Sequence, residues 1–201
     1  LQTRNLKAKK IEQIINPFLS SERIKILEIG TGSGGIAAYF AGLSYRQWDV
    51  QAVDVVDSRL VKEGFTFQLV EGTDLPFVND TFDVVISNHV IEHVGDYEAQ
   101  IAHLSELKRV LKKDGVAYLA VPNRWMLVEP HYRLIFLSWL PKRLRTPYLK
   151  LFNRGNYYDC EPLEKGEIES MFRRVNLAFT NECVKAMRLT FEIESPNSLT
   201  A

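Results

Sequence analysis

Residues 26–35 read Ile26-Leu27-Glu28-Ile29-Gly30-Thr31-Gly32-Ser33-Gly34-Gly35, and this stretch decides the fold. Upstream, Ile24 to Ile29 is a β-branched, apolar run of strand length; downstream, Ile36-Ala-Ala-Tyr-Phe-Ala-Gly-Leu43 suits a helix. A strand that passes through glycines into a helix is the opening unit of an open α/β sheet, whose ligands bind beyond the carboxyl ends of the strands. Glycine has no Cβ, so the backbone can turn sharply and approach a ligand closely. Gly30, Gly32 and Gly35 also satisfy the G-x-G-x-x-G dinucleotide pattern, so the glycines by themselves do not choose the cofactor.

Working outward, the alternation continues. An amphipathic helix is expected from Leu6 to Leu19, a strand from Trp48 to Asp54, a short helix from Ser58 to Glu63 and a strand from Phe67 to Val70. A strand from Phe82 to Ser87 leads to a helix from Tyr97 to Lys112, stopped by Gly115, and then to a strand from Val116 to Val121. The tail offers a helix from Leu163 to Arg174 and strands from Leu177 to Val184 and Arg188 to Ile193. Largely apolar strands separated by helices indicate a parallel sheet covered on both faces. Residues 124–160 break the rhythm and are too long for an ordinary loop, so they read as an insertion with helical pieces of its own.

The chain has 201 residues, 46% of them hydrophobic, and its 25 basic and 25 acidic side chains cancel. At this length roughly 70% of the unfolded surface is buried on folding, enough for a core without disulfides or structural metal. Balanced charge removes the long-range field from which a general nucleic-acid or membrane coat would gain. Cys160 and Cys183 belong to no metal-spaced cluster, and a reduced, cytoplasmic setting is expected. The longest apolar candidate, Leu134 to Leu140, falls short of the roughly 20 residues of a membrane span. The chain opens on Leu1 and basic residues such as Arg4, Lys7 and Lys9 without an apolar signal region, so native residues are expected to precede it.

Asp54 closes the second expected strand, where a carboxylate can accept from both hydroxyls of a ribose. Further blocks follow: Val70-Glu-Gly-Thr-Asp-Leu-Pro-Phe77, Thr81-Phe-Asp-Val-Val-Ile86, Val90-Ile-Glu-His-Val94 and Leu107-Lys-Arg-Val-Leu-Lys-Lys-Asp-Gly115. Together with Glu28-x-Gly30-x-Gly32-x-Gly34, and in this order, they resemble the class I S-adenosylmethionine-dependent methyltransferases, type 11-like, over about Ile24 to Asn123. The resemblance implies one Rossmann-like, doubly wound α/β domain over residues 1–201. Its sheet would be seven-stranded and mainly parallel, with residues 124–160 forming a helical substrate cap inserted after the fifth strand. It also implies that Glu28, Gly30, Gly32 and Gly34 form the cofactor motif, with the glycine backbone beneath the methionine part and Asp54 on the ribose. Glu71 would accept from the adenine amino group, Gly72 would offer its amide to the ring, and Asn88 would meet the amino-acid end. The family more often has aspartate where Glu71 stands, and a one-turn shift of register would nominate Asp74 instead.

Methyl transfer from a sulfonium is an in-line displacement, so positioning and exclusion of water do most of the work. For a hydroxyl acceptor a general base adds on the order of 100-fold, and histidine is poised for that near neutral pH. His89 and His93, just past the fourth strand, are the candidate catalytic residues. With Glu92 they fall at i, i+3 and i+4, on one face of a helical turn. That arrangement is similar to the acid-x-x-acid-His metal site of small-RNA 2'-O-methyltransferases, with His89 replacing the first acid and His131 available as a fourth ligand. The reading adopted is base or substrate contact, with no metal assigned; hydrogen bonds that merely orient the loop are the alternative. His103 reads as a surface or packing histidine.

Between Arg124 and Arg154 seven basic residues face one acid, Glu129, a local charge of about +6, interleaved with aromatics such as Trp139 and Tyr148. Such a surface suits a sugar, a phosphate, a base or an anionic membrane; a packed cap with solvated basic edges is the alternative. Arg124-Trp125 and Glu129-Pro130-His131-Tyr132 are expected to face the cofactor mouth, with Arg124, Trp125, His131 and Tyr132 binding substrate. The expected reaction is O-methylation, with N-methylation second. A small-molecule, glycan or glycolipid acceptor is preferred, then a quinone-type phenol, then RNA. Two alternatives stay open. An NAD-dependent oxidoreductase fits the glycines and Asp54 but leaves the Asp74-Leu-Pro-Phe77 and Val90 to Val94 blocks unexplained; a non-catalytic S-adenosylmethionine-binding module needs no base.

Overall fold

A computed structural model describes residues 2–194. Five strands, β1 (Arg23–Ile29), β2 (Gln47–Asp54), β3 (Thr66–Leu69), β4 (Phe82–Asn88) and β5 (Leu111–Ala120), form a parallel sheet in the order β3-β2-β1-β4-β5. The chain runs from β1 outward to β3, then returns to the far side of β1 for β4 and β5. Strand order therefore reverses between β1 and β4, the point at which such sheets open a ligand crevice beyond their carboxyl ends.

Helices cover both faces: α1 (Gln2–Ile15), α2 (Gly35–Ala41), α3 (Tyr97–Val110), α4 (Lys142–Leu151), α5 (Lys165–Arg174) and α6 (Cys183–Leu189), the last continued by a π turn over Thr190–Glu194. The period of two along the strands divides the core. Ile24 and Ile26 of β1, with Val84 and Ile86 of β4, pack toward α1 and α2, where Phe40 is fully buried. Leu27 and Ile29, with Val85, face Leu107 and Val110 of α3. Asp96 caps α3 by accepting the Ala99 amide at 3.1 Å. Arg109 on α3 donates to the Leu75 and Phe77 carbonyls and pairs with Glu106, which pins the loop between β3 and β4.

The first four strands lie within a residue of their expected positions, and three sequence expectations are corrected. The sheet has five strands among the described residues, not seven. Ser58 to Glu63 forms no helix, because the Leu60 and Val61 amides donate to the Ser33 carbonyl of the glycine turn. The expected strands Leu177 to Val184 and Arg188 to Ile193 are replaced by a non-strand segment, α6 and the π turn. Ala186, Leu189, Thr190 and Ile193 turn inward at helical spacing, a period masked in the sequence by exposed Val184 and Phe191.

Residues 124–160 hold a 3-10 turn over Leu137–Trp139 and α4, around a small core of their own made by Leu134, Leu137, Leu149, Tyr158 and Cys160. Among the described residues no helix is long and apolar enough to cross a membrane. Because Phe40 fills the layer between α1, α2 and the sheet, Phe40→Ala is expected to lower unfolding free energy by about 3–5 kcal/mol. Urea denaturation at unchanged m-value measures this; a loss below about 1 kcal/mol would remove Phe40 from the core account.

Candidate active site

The turn after β1 is built from glycines at positive φ, +71° at Gly30, +51° at Gly32 and +78° at Gly34. At Gly30 a Cβ would run into the Val90 side chain, and at Gly34 into the Val61 carbonyl, so both positions need glycine for space as well as conformation. The Gly30 amide donates to the Val53 carbonyl at 2.8 Å, and the Gly32 amide to Asp54 Oδ2 at 2.8 Å, which ties the turn to the end of β2. Glu28 lies beneath it, 2% exposed, accepting from the Thr31 hydroxyl at 2.7 Å and from the Ala37 amide in the first turn of α2 at 3.0 Å. Burial pushes its carboxyl up to about 8, against those two hydrogen bonds.

Asp54 stands half-buried at the end of β2, with Oδ1 taking the Val55 amide at 2.8 Å. A carboxylate offers about four acceptor sites, so the Gly32 and Val55 amides, with the Val56 amide at 3.4 Å from Oδ1, leave about one open. The Val70 amide donates to the Asp54 carbonyl, which brings exposed Glu71 and Gly72, at φ +64°, to the same edge. Hydrogen bonding to Glu106 raises the Arg109 pKa, and the Asp74 charge adds to it from nearby. Asn88 closes β4 with its amide nitrogen buried and unpartnered among the described residues. A buried donor left unpaired is destabilising until something accepts from it.

Past Asn88 the chain kinks. His89 sits at φ +59° with its amide on the Ala120 carbonyl at 2.9 Å, Val90 packs over Gly30, and Ile91–His93 form a 3-10 turn. His89 and His93 stay partly exposed while Glu92 is fully buried. His89 Nδ1 lies 3.3 Å from Glu92 Oε1, and His93 Nε2 lies 3.3 Å from His131 Nε2. His131 arrives from the insertion, held by buried Glu129, whose Oε1 is 2.8 Å from Nδ1 and whose Oε2 takes the Tyr132 amide. That hydrogen bond raises the His131 pKa. Tyr132 donates to Asp159 at 2.7 Å, and Cys160 Sγ lies 3.7 Å from Nδ1 of both His93 and His131. His103 is a packing histidine, on the Ser87 hydroxyl at 2.9 Å, and burial pushes it down to about 4.

The expected substrate residues separate into two places. His131 and Tyr132 join the histidine cluster. Arg124 instead pairs with Glu167 at 2.7 Å and Trp125 donates to Glu164 at 2.8 Å, so both fasten the insertion to the start of α5. They line a groove of about 500 Å³ with Trp139, Lys142 and Glu161. Glu129, expected on the substrate side, instead holds His131, and sequence reasoning missed Cys160, which lies 67 residues from His93 and reaches it only through the fold. It also missed Arg4 of α1, whose side chain lies over Gly35 and Gly32.

The sequence matches the family described as a methyltransferase domain over residues 3–180. The chain belongs to that family. A ubiquinone biosynthesis O-methyltransferase of Rickettsia prowazekii is 28% identical over 163 residues, 74% of this chain and 61% of that protein. Another, of Paramagnetospirillum magneticum, is 31% identical over 140 residues, 65% and 53% of the two chains. The chain thus spans less than two thirds of the length of these relatives. Among solved structures, an S-adenosylmethionine-dependent methyltransferase of Methanosarcina mazei superposes with a TM-score of 0.60 at 18% identity, covering 81% of this chain and 82% of the other. A Bacillus subtilis protein does so at 0.58 and 20%, covering 86% and 69%. The family membership gives the glycine turn to methyltransferases rather than to NAD-dependent oxidoreductases, and S-adenosylmethionine is the cofactor that goes with the family.

Glu28 makes the family's glycine turn sensitive to pH. Its folded-state pKa is raised from an ordinary 4.5 to about 8, so its contribution is fully present below 4.5 and is lost as pH rises through 8. Glu28→Gln keeps an acceptor for Thr31 and Ala37 without titrating. Urea midpoints taken from pH 5 to pH 8.5 should fall for the wild type and stay flatter for the variant; parallel curves would contradict the assignment.

Proposed function

We propose that this protein transfers a methyl group from S-adenosylmethionine to a hydroxyl oxygen of an amphiphilic small-molecule acceptor, a quinone-type phenol or a glycolipid. The observation that carries the reading is the buried Asn88 amide nitrogen, unpartnered among the described residues, which stands beside a glycine cradle and the Asp54 carboxylate at one sheet edge. Three strand ends there present what an adenosyl amino acid needs. Asn88 donates to the amino-acid end, the turn from Gly30 to Gly34 leaves room beneath it, and the remaining acceptor capacity of Asp54 faces the ribose hydroxyls. Glu71 and Gly72 serve the adenine. Glu28 acts from beneath by fixing the turn against α2.

The cofactor supplies a methyl group on a positively charged sulfur. His89 and His93 stand next in the chain after Asn88, and an imidazole lone pair there takes the acceptor's hydroxyl proton as the new carbon–oxygen bond forms. Oxygen rather than nitrogen is favoured by the relatives, which are O-methyltransferases by name. Residues 124–160 act as the substrate cap, with His131 and Tyr132 facing the acceptor. Exposed Leu127, Val128, Ile135 and Phe136, set among basic residues, favour an acceptor delivered from an anionic membrane surface over RNA.

Thermal unfolding with S-adenosylhomocysteine or NAD tests the cofactor. At 100 times its dissociation constant the former should stabilise by about 2.7 kcal/mol, and a response to NAD alone would overturn the reading. His89→Ala and His93→Ala should keep that stabilisation while turnover on a catechol-type acceptor falls on the order of 100-fold. Unchanged turnover would remove both residues from catalysis, and a protein that binds the cofactor but methylates neither phenols nor glycolipids would be a binding module.

A further inference from the structure

The groove between the insertion, the start of α3 and α5 has a volume of about 500 Å³, the size of a small-molecule site. It shares no residue with the glycine turn, Asp54, Asn88 or the histidine cluster. Trp125 and Trp139 both line it, their rings 5.8 Å apart at 73°, and they stay 55% and 44% exposed. Each indole N–H is already bonded, Trp125 to Glu164 at 2.8 Å and Trp139 to the Met126 carbonyl at 3.0 Å. The polar edges therefore fix the rings in place, and apolar ring surface is left in water. Aromatic surface that is held rigid and uncovered lowers the ordering cost of whatever stacks on it.

The rest of the lining is mixed in charge: Arg124, Lys142 and Arg145 stand against Asp96, Glu161 and Glu167. Arg124 pairs with Glu167 at 2.7 Å and Lys142 with Glu161 at 2.9 Å, so donors and acceptors are in equal supply and the charges cancel. Arg145 is only 7% exposed. Its Nε and Nη2 donate to the Leu140 and Ser138 carbonyls, while Nη1 lies 3.8 Å from Glu161 Oε2 and makes no hydrogen bond among the described residues. A guanidinium carries five N–H donors, so this nearly buried arginine keeps unused ones at the groove wall. We propose that the groove binds a pyranose ring of a neutral saccharide. A pyranose has an apolar C–H face, which stacks on an indole, and a rim of hydroxyls, each able to donate and to accept. The lining also disfavours the anionic partners that the basic insertion would otherwise suit, because a phosphate backbone or lipid headgroup would meet Asp96, Glu161 and Glu167 here.

Saccharide binding in this groove does not depend on the methyl-transfer reading. The full chain is mixed in turn with the methyl glycosides of glucose, galactose, mannose, rhamnose and N-acetylglucosamine, and saturation-transfer NMR reads which sugar protons touch it. Saturable transfer to the C–H protons of at least one glycoside is expected. Trp125→Ala and Trp139→Ala, at exposed positions where circular dichroism checks the fold, should bind that glycoside at least about tenfold more weakly. Trp125→Phe, which keeps a ring face but not the N–H, should recover part of the loss. Phe152→Ala, at an exposed aromatic of the insertion outside the groove, should bind like the wild type. Sedimentation with phosphatidylglycerol vesicles runs alongside. No transfer to any glycoside, binding unchanged in both alanine variants, or vesicle binding that both variants lose while no glycoside binds would overturn the proposal. Stabilisation by S-adenosylhomocysteine is read on the same samples and is the same in every one of these cases, so failure here and failure of the methyltransferase reading are separable.

Discussion

Val90 fills the space that a side chain at residue 30 would need, and the arrangement of the sheet edge depends on that contact. β1 and β4 are neighbours at the point where strand order reverses, so the segments leaving them must share one opening. Because residue 30 is a glycine at φ +71°, the turn after β1 bends under Val90, and the segment from His89 to His93 closes down on it. The cofactor turn and the histidine cluster are in this way one mechanical unit. Glu28 from below and Asp54 from the side fix the same turn with hydrogen bonds of 2.7–3.0 Å.

The unit is held by layers that carry no chemistry. Alternate residues of β1 and β4 divide between the α1/α2 layer and the α3 layer, and Arg109 clamps the loop after β3 from the α3 side. Local rules are broken at the edge itself: an Asn88 amide nitrogen and a Glu92 carboxylate without hydrogen-bond partners among the described residues, and a left-handed His89. Such violations are expected at functional sites, where the surrounding fold offsets them.

The edge was legible in the sequence to the extent that its signals were local. Short strand-length runs marked β1, β2, β3 and β4, and the glycine turn with Asp54 marked the sheet edge proposed for the cofactor. The spacing of His89, Glu92 and His93 marked the cluster but not that Glu92 turns inward, which the 3-10 turn and the sheet decide together. Glu129 and Cys160 approach from a different part of the chain and leave no periodic trace. The expected helix at Ser58 to Glu63 failed because its amides serve the Ser33 carbonyl, a tertiary bond that local propensity does not contain. The sixth and seventh strands came from family resemblance and from reading Leu177 to Val184 and Arg188 to Ile193 with the wrong period.

The central claim is that the edge between β1, β2 and β4 holds the adenosyl cofactor, with Asn88 at its amino-acid end. Amide NMR during titration with S-adenosylhomocysteine tests it directly, since the Asn88 side-chain amide and the backbone amides of Gly30, Gly32 and Gly34 report on separate parts of that edge. The account predicts that these signals shift together and saturate with one affinity. Shifts confined to residues elsewhere in the sheet or insertion, with the Asn88 and glycine signals unmoved at saturation, would contradict it.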